Sequence, residues 1–179
     1  MLKILGIVLG VIVLAVAAVA AYAAATQPDT FRVTRSLDIA APPEKIYSIL
    51  SDFRRSGEWS PYEKLDPDMK RTYSGAATGK GAVYAWDGDS NAGAGRMEIA
   101  EATPRQSVTL KLDFERPFEA SNIVEYKLQP KGSATQVSWD MHGPMPFISK
   151  VMCVFVDLDR MIGKDFETGL ANLKALAEK

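Results

Sequence analysis

The sequence predicts an α+β fold: a curved antiparallel β-sheet wrapped around a long C-terminal helix, preceded by one N-terminal transmembrane or signal helix. Three observations predict it. Short segments of alternating apolar and polar residues recur between Phe31 and Met141, separated by turn-forming Gly, Pro, Asn and Asp. After about Pro146 the apolar residues fall three or four apart instead. At the front, Ile4 to Ala25 runs for 22 residues without a charge.

That first segment reaches about 33 Å as a helix, enough to cross a hydrocarbon core. Ala21-Tyr22-Ala23 and Ala23-Ala24-Ala25 also offer the small-residue exit of a cleaved signal. A secretory apolar region usually runs ~7–15 residues, and this one is longer, which favours an uncleaved anchor. Lys3 flanks one end and Arg32 and Arg35 the other, so the positive-inside rule discriminates weakly. Both a signal and an anchor of this kind export the domain behind them. That domain is expected outside the cytoplasm, on the periplasmic side, or secreted if the segment is cleaved. The chain divides into an anchor or signal at residues 1–25, a polar linker at 26–30 and one domain at 31–179.

Phe31 to Ile39 alternates as a half-buried strand does, and Ala40-Ala41-Pro42-Pro43 stops it. Proline suits the first turn of a helix, where its missing N–H would have no partner anyway. Glu44 to Phe53 then reads as a short helix with Ile46, Ile49, Leu50 and Phe53 at helical spacing. A loop containing Gly57, Trp59 and Pro61 comes next. Strands are expected at Lys70–Tyr73, Ala82–Trp86, Gly95–Ala102, Val108–Phe114, Glu119–Leu128 and Ala134–Met141. Such spacing describes an antiparallel meander with one buried and one wet face. Val151, Phe155, Leu158, Ile162, Phe166, Leu170 and Leu173 then mark one long amphipathic helix. Gly163 and Gly169 either weaken it, by up to ~1 kcal/mol each, or let it approach the sheet closely.

Composition excludes several functions. Lys3 is the only charge in the leader, so 20 of the 21 basic and all 22 acidic residues belong to the remainder. That balance lacks the clustered basic face of a nucleic-acid binder. With one cysteine and one histidine, neither an intrachain disulfide nor a metal site built on several such ligands is available. No cofactor is expected. Cys153, in the run Val151–Phe155, reads as a small buried hydrophobe. His142, before Gly143-Pro144, reads as a partly exposed turn residue, the sharper alternative being a general base at a cavity mouth. Gly75 to Gly81 superficially resembles a phosphate loop. It is one residue short, lacks Ser or Thr after Lys80 and precedes no helix, so it is a turn.

Only the long helix is large enough to cover one face of the sheet, and the space between the two is where a small molecule would bind. Tyr84 and Trp86 share one strand face, as do Val124, Tyr126 and Leu128, and Val137, Trp139 and Met141. The candidate cavity lining is Trp59, Tyr84, Trp86, Met97, Tyr126 and Trp139, with Met152, Phe155 and Ile162 from the helix. Core packing is the alternative role for each. Methionine's flexible thioether suits a wall that adapts to varied apolar ligands.

The chain resembles the polyketide cyclase/dehydrase and lipid-transport branch of the START-like (SRPBCC) superfamily, with its helix-grip fold. The resemblance covers Phe31 to Lys179. It rests on Ala41-Pro42-Pro43-Glu44-Lys45-Ile46-Tyr47, Leu50-Ser51-Asp52-Phe53, Trp59-Ser60-Pro61-Tyr62, Gly79 to Trp86, Leu128-Gln129-Pro130 with Thr135 to Trp139, and Gly163 to Lys174. It implies a binder of hydrophobic small molecules, only some members being enzymes. The apolar leader departs from the usual soluble member, and together they suggest a binder or carrier of a hydrophobic small molecule, a lipid above all, working at a membrane. The alternatives are a cyclase or dehydratase, for which the sequence shows no convergent acid/base pair, and an interaction module whose cavity is filled. Arg54–Tyr62 and Asp87–Gly95 are the expected lids. Oligomeric state is open.

Overall fold

The computed structural model describes residues 2–179. Met1 and the side chains of Leu2, Lys3 and Leu5 lie outside the described part, and with them the Lys3 flank that bears on the leader's orientation. Helix α1 (Leu2–Thr26) is followed by strand β1 (Thr30–Ile39) and helix α2 (Pro43–Leu50). Pro43 stands in the first turn of α2, and Ile46, Ile49 and Leu50 are its buried face.

The expected loop after α2 is more ordered than its composition suggests. It contains 3-10 turns at Phe53–Arg55 and Pro61–Lys64 and a short helix α3 (Ser56–Trp59). The Asp52 carboxylate starts this series by accepting the Arg54 amide at 2.9 Å, which offers the backbone a local alternative to open coil.

Six further strands complete the sheet: β2 (Lys70–Gly75), β3 (Ala82–Asp87), β4 (Ala94–Thr103), β5 (Ser107–Arg116), β6 (Ala120–Lys131) and β7 (Ala134–Pro144). The seven strands form one antiparallel sheet in the order β1-β7-β6-β5-β4-β3-β2. Consecutive hairpins build β2 to β7, and β7, the last strand, pairs with the whole length of β1, from Thr30–Pro144 to Ile39–Thr135. The Gly75–Gly81 segment is the β2–β3 turn. Gly75 has a φ of +71°, and a Cβ there would lie 2.1 Å from the Gly81 carbonyl oxygen, so only glycine fits.

The long C-terminal helix is present, but it begins at Leu158 rather than running unbroken from Val151. The chain forms α4 (Phe147–Cys153) and α5 (Leu158–Ala177), with residues 154–157 between them. Asp157 has extended backbone, and its side chain accepts the Arg160 amide at 3.0 Å. This N-cap starts a new helix although the apolar period runs on in phase through the break.

Helix α5 lies across the sheet against β1 and β7, and α2 closes one end over β5 and β6. Phe166, Leu170 and Leu173 are buried in that layer with Val33, Ile99, Val108 and Val137. Gly163 and Gly169 are close-approach positions. A Cβ at Gly163 would meet the Arg35 guanidinium at 1.9 Å, and one at Gly169 would meet Trp139 at 2.5 Å. Arg35 is held there by Asp159 and Glu167 of α5, at 2.9 and 3.0 Å. The architecture is a helix-grip α+β fold.

Candidate functional site

Alternation along the strands turns one row of side chains toward α5, and α5 does not fill the space this creates. A cavity of about 490 Å³ remains between sheet and helix. Its walls come from the 50–69 segment, from the inward faces of β3 to β7, and from α4 and the first turns of α5. Eight of the nine candidate residues line it: Trp59, Tyr84, Trp86, Met97, Tyr126, Trp139, Met152 and Ile162. Phe155 does not. It lies just beyond the end of α4, is 73% exposed, and borders a separate, more open groove beside the linker. Its helical spacing misplaced it because the helix breaks just before Asp157.

The aromatic walls are organised by ring contacts. Trp139 stacks on Phe166 of α5 with centroids 4.2 Å apart and planes within 9°. Trp59 meets Trp139 at 5.4 Å and Tyr126 at 5.9 Å, edge to face in both cases, the arrangement that the ring quadrupoles favour. Asn172 of α5 donates to the Trp59 carbonyl at 3.0 Å, which fixes α3 to the helix. On the other side Tyr84 stacks between Tyr73 and Trp86. The Trp86 indole donates to the Ala92 carbonyl at 3.0 Å, tying the β3–β4 turn to the wall.

The cavity contains a polar group that sequence reading missed. The Tyr84 hydroxyl donates to Glu63 Oε1 at 2.6 Å, and Arg71 Nε donates to Glu63 Oε2 at 2.8 Å. Arg71 also holds the carbonyls of Met69 and Glu63. Burial, reinforced by the Glu63 carboxylate, pushes the Tyr84 phenol well above its ordinary value. Burial does the same to Tyr126, and burial with Asp165 nearby does so to Tyr62. All three phenols are therefore neutral donors at physiological pH. Glu63 lies in a stretch read as loop, 21 residues from Tyr84, and no local signal joins the two. The indole N–H groups of Trp59 and Trp139 and the Asn122 side-chain oxygen are buried without a partner among the described residues.

His142 is placed elsewhere. It pairs with Ile123 and Arg32 inside the sheet, one residue beyond cavity-lining Met141 and so on the opposite face. Its Nδ1 lies 2.9 Å from Asp140 Oδ1. It is neither a turn residue nor a base at the cavity mouth. Cys153 is half-buried rather than buried and lines the cavity at the end of α4. Among the described residues no cluster of three or more His, Cys, Asp and Glu has metal-binding geometry.

Solved structures share this architecture at low identity. Protein CV1439 from Chromobacterium violaceum is 18% identical with a TM-score of 0.57, covering 85% of this chain and 99% of its own. The major latex-like protein 151 of Panax ginseng is 14% identical with a TM-score of 0.57, covering 85% and 100%. The di-domain ARO/CYC StfQ from the steffimycin biosynthetic pathway is 12% identical with a TM-score of 0.60, covering 83% of this chain and 51% of its own. These likenesses show the fold. No curated protein matches. Residues 30–178 match the family described as "Polyketide cyclase / dehydrase and lipid transport", and the chain belongs to that family, within the START-like superfamily.

Proposed function

We propose that this protein binds and carries an apolar small molecule, a lipid, in the cavity between sheet and α5, beside a membrane to which α1 tethers it. The observation that carries the reading is the cavity itself, whose 490 Å³ falls within the ~300–1,000 Å³ of ordinary ligand sites. Its exposed lining is mainly apolar. Each ligand CH₂ moved into such a space contributes ~0.8 kcal/mol. The neutral Tyr62 and Tyr126 phenols and the Glu63–Tyr84 pair supply the few polar groups that orient a ligand. The family's description includes lipid transport, which agrees.

The Gly6–Thr26 stretch of α1 is long and apolar enough to span a bilayer. A tethered domain meets membrane lipid at high local concentration, which relaxes its affinity requirement. The domain lies outside the cytoplasm on this reading, and release requires movement of the 54–62 segment or the 87–95 turn, both of which contribute cavity wall. The test is native mass spectrometry of the full chain from its host membrane, with extraction of bound lipid. One defined apolar ligand per chain supports the carrier. A chain that is empty and refuses a lipid panel removes it.

A second reading, a cyclase or dehydratase, draws on one observation: a carboxylate and a phenol 2.6 Å apart on the cavity wall. It predicts turnover of a polyketide-like substrate that Tyr84→Phe abolishes. A carrier shows no turnover with either side chain. The open cavity gives no support to an interaction module with a filled core.

A further inference from the structure

The register places several features at one end of the sheet. Thr30 pairs with Pro144, Ala120 with Phe114, Arg116 with Ala94 and Asp87 with both Ala94 and Lys70. The foot of α1, the 116–120 turn, the 87–94 turn and α4 therefore share that end. The β6–β7 turn at Gly132-Ser133 lies at the other, one strand length of about 33 Å away.

At the shared end α1 packs against α4 and Ala23 is fully buried. Lys150 donates to Asp29 at 2.6 Å, and the Met145 amide donates to the Asp29 carbonyl at 2.7 Å. The linker is thus pinned to α4. Yet Phe147, Ile148, Met152, Phe155, Val156 and Met161 are 42–73% exposed, and Phe118 in the 116–120 turn is 56% exposed. Water-soluble surfaces rarely expose so many large apolar side chains at one end of a domain. Met152, Val156 and Met161 also line the cavity, so the outer patch and the cavity wall share side chains. Arg116 and Lys150 are paired with Asp87 and Asp29, and the charges beside Phe118 are the acidic Glu115 and Glu119, so the patch lacks the basic cluster that anionic headgroups attract.

We propose that the 147–156 segment and Phe118 insert into the apolar edge of the bilayer that α1 enters, so that the cavity mouth opens directly onto lipid. A surface fixed at the foot of a membrane span lies at the membrane–water boundary. The apolar patch and the lack of a basic cluster fit the apolar edge there rather than anionic headgroup charge. A ligand then passes from bilayer to cavity without crossing water. This rests on the tethered-carrier reading and adds the route and orientation.

The test uses the full chain in phosphatidylcholine vesicles, in a Cys153→Ser background, with an environment-sensitive fluorophore at Phe155→Cys or at Ser133→Cys. Both positions are exposed, and circular dichroism checks that each variant folds. The expected result is a blue shift at 155 and loss of most of its emission when the acyl chains carry a nitroxide near the headgroup. The label at 133 keeps its emission, and anionic lipid changes neither signal. No lipid quenching at 155, or a chain that fails to enter vesicles, overturns the proposal. Protection of 155 from aqueous iodide without lipid quenching also overturns it and points to a second protein on the patch. Co-purified ligand without quenching removes the portal and keeps the carrier, and quenching without ligand does the reverse.

Discussion

Gly169 of α5 lies directly against the indole of Trp139, so closely that a Cβ at position 169 would stand 2.5 Å from Cζ3 and 3.1 Å from the Pro61 ring. Trp139 cannot retreat easily, because it is buried and stacked on Phe166. Helix, sheet and the 61–64 turn meet at this point, and the absence of a side chain lets them do so.

Gly169→Ala is therefore expected to destabilise. Alanine gains about 1 kcal/mol in helix propensity, but overpacking a rigid site costs about 1–3 kcal/mol. The net effect is a lower Tm on thermal unfolding. Gly57→Ala has nothing within 4 Å of the new methyl and is expected to leave the Tm unchanged or slightly higher. Equal responses from the two variants would contradict the packing argument.

Tyr84→Phe removes the phenol that donates to Glu63 Oε1 while Arg71 keeps Oε2. The carboxylate is nearly buried, and an unsatisfied buried acceptor costs about 1–3 kcal/mol. The 61–64 turn that carries Glu63 loses one of its ties to the sheet. Faster amide hydrogen exchange at residues 62–66 is the expected result, and unchanged protection there would show that Arg71 holds the turn alone.

Asp140 sits on the outer face of β7 with its side chain almost fully covered. Burial alone raises its pKa, but hydrogen bonds from Arg32 at 2.7 Å, Thr34 at 2.6 Å and His142 at 2.9 Å, with the Arg32 charge, hold it below the usual value. A depressed folded pKa stabilises above the unfolded value, near 3.9, and that contribution is lost as pH falls through the folded pKa. Stability is thus expected to decline on acidification below about pH 4. Asp140→Asn is expected to cost about 1–3 kcal/mol at neutral pH and to flatten that part of the acid limb. Urea unfolding of both proteins across pH 2–6 measures it.

Met97→Trp tests occupancy of the cavity. Met97 lines the cavity and is only partly buried, so a larger side chain has space to enter without displacing the core. The expected outcome is loss of co-purifying apolar ligand with little change in Tm. If the variant is as fully loaded as the wild type, the ligand lies elsewhere.

Local periodicity made the architecture legible. Alternation identified the strands from β1 to β7, and the apolar stripe identified the segment that covers them, because both patterns record which face of an element meets water. Parity along each strand placed Tyr84, Trp86, Met97, Tyr126 and Trp139 on the inner wall for the same reason. What escaped depends on residues far apart in the chain or on a local cap that periodicity does not register. The helix break at residues 154–157 is set by the Asp157 cap while the apolar period continues across it, so the period points Phe155 at the cavity and the fold leaves it outside. Gly143-Pro144 beside His142 point to a turn, yet pairing with β1 carries the strand through His142 and faces it away from the cavity.

Reading the residues in order is enough for the α+β class, the family resemblance and most of the inner wall, since each depends on the order and spacing of neighbouring residues. Long-range packing sets the pairing of β1 with β7, the meeting of Glu63 with Tyr84 and Arg71, and the exposed apolar segment near the foot of α1 that also lines the cavity. Those relationships are made by strand register and by contacts between segments distant in the chain, and the free energy of a long-range contact leaves no periodic trace in the residues that make it.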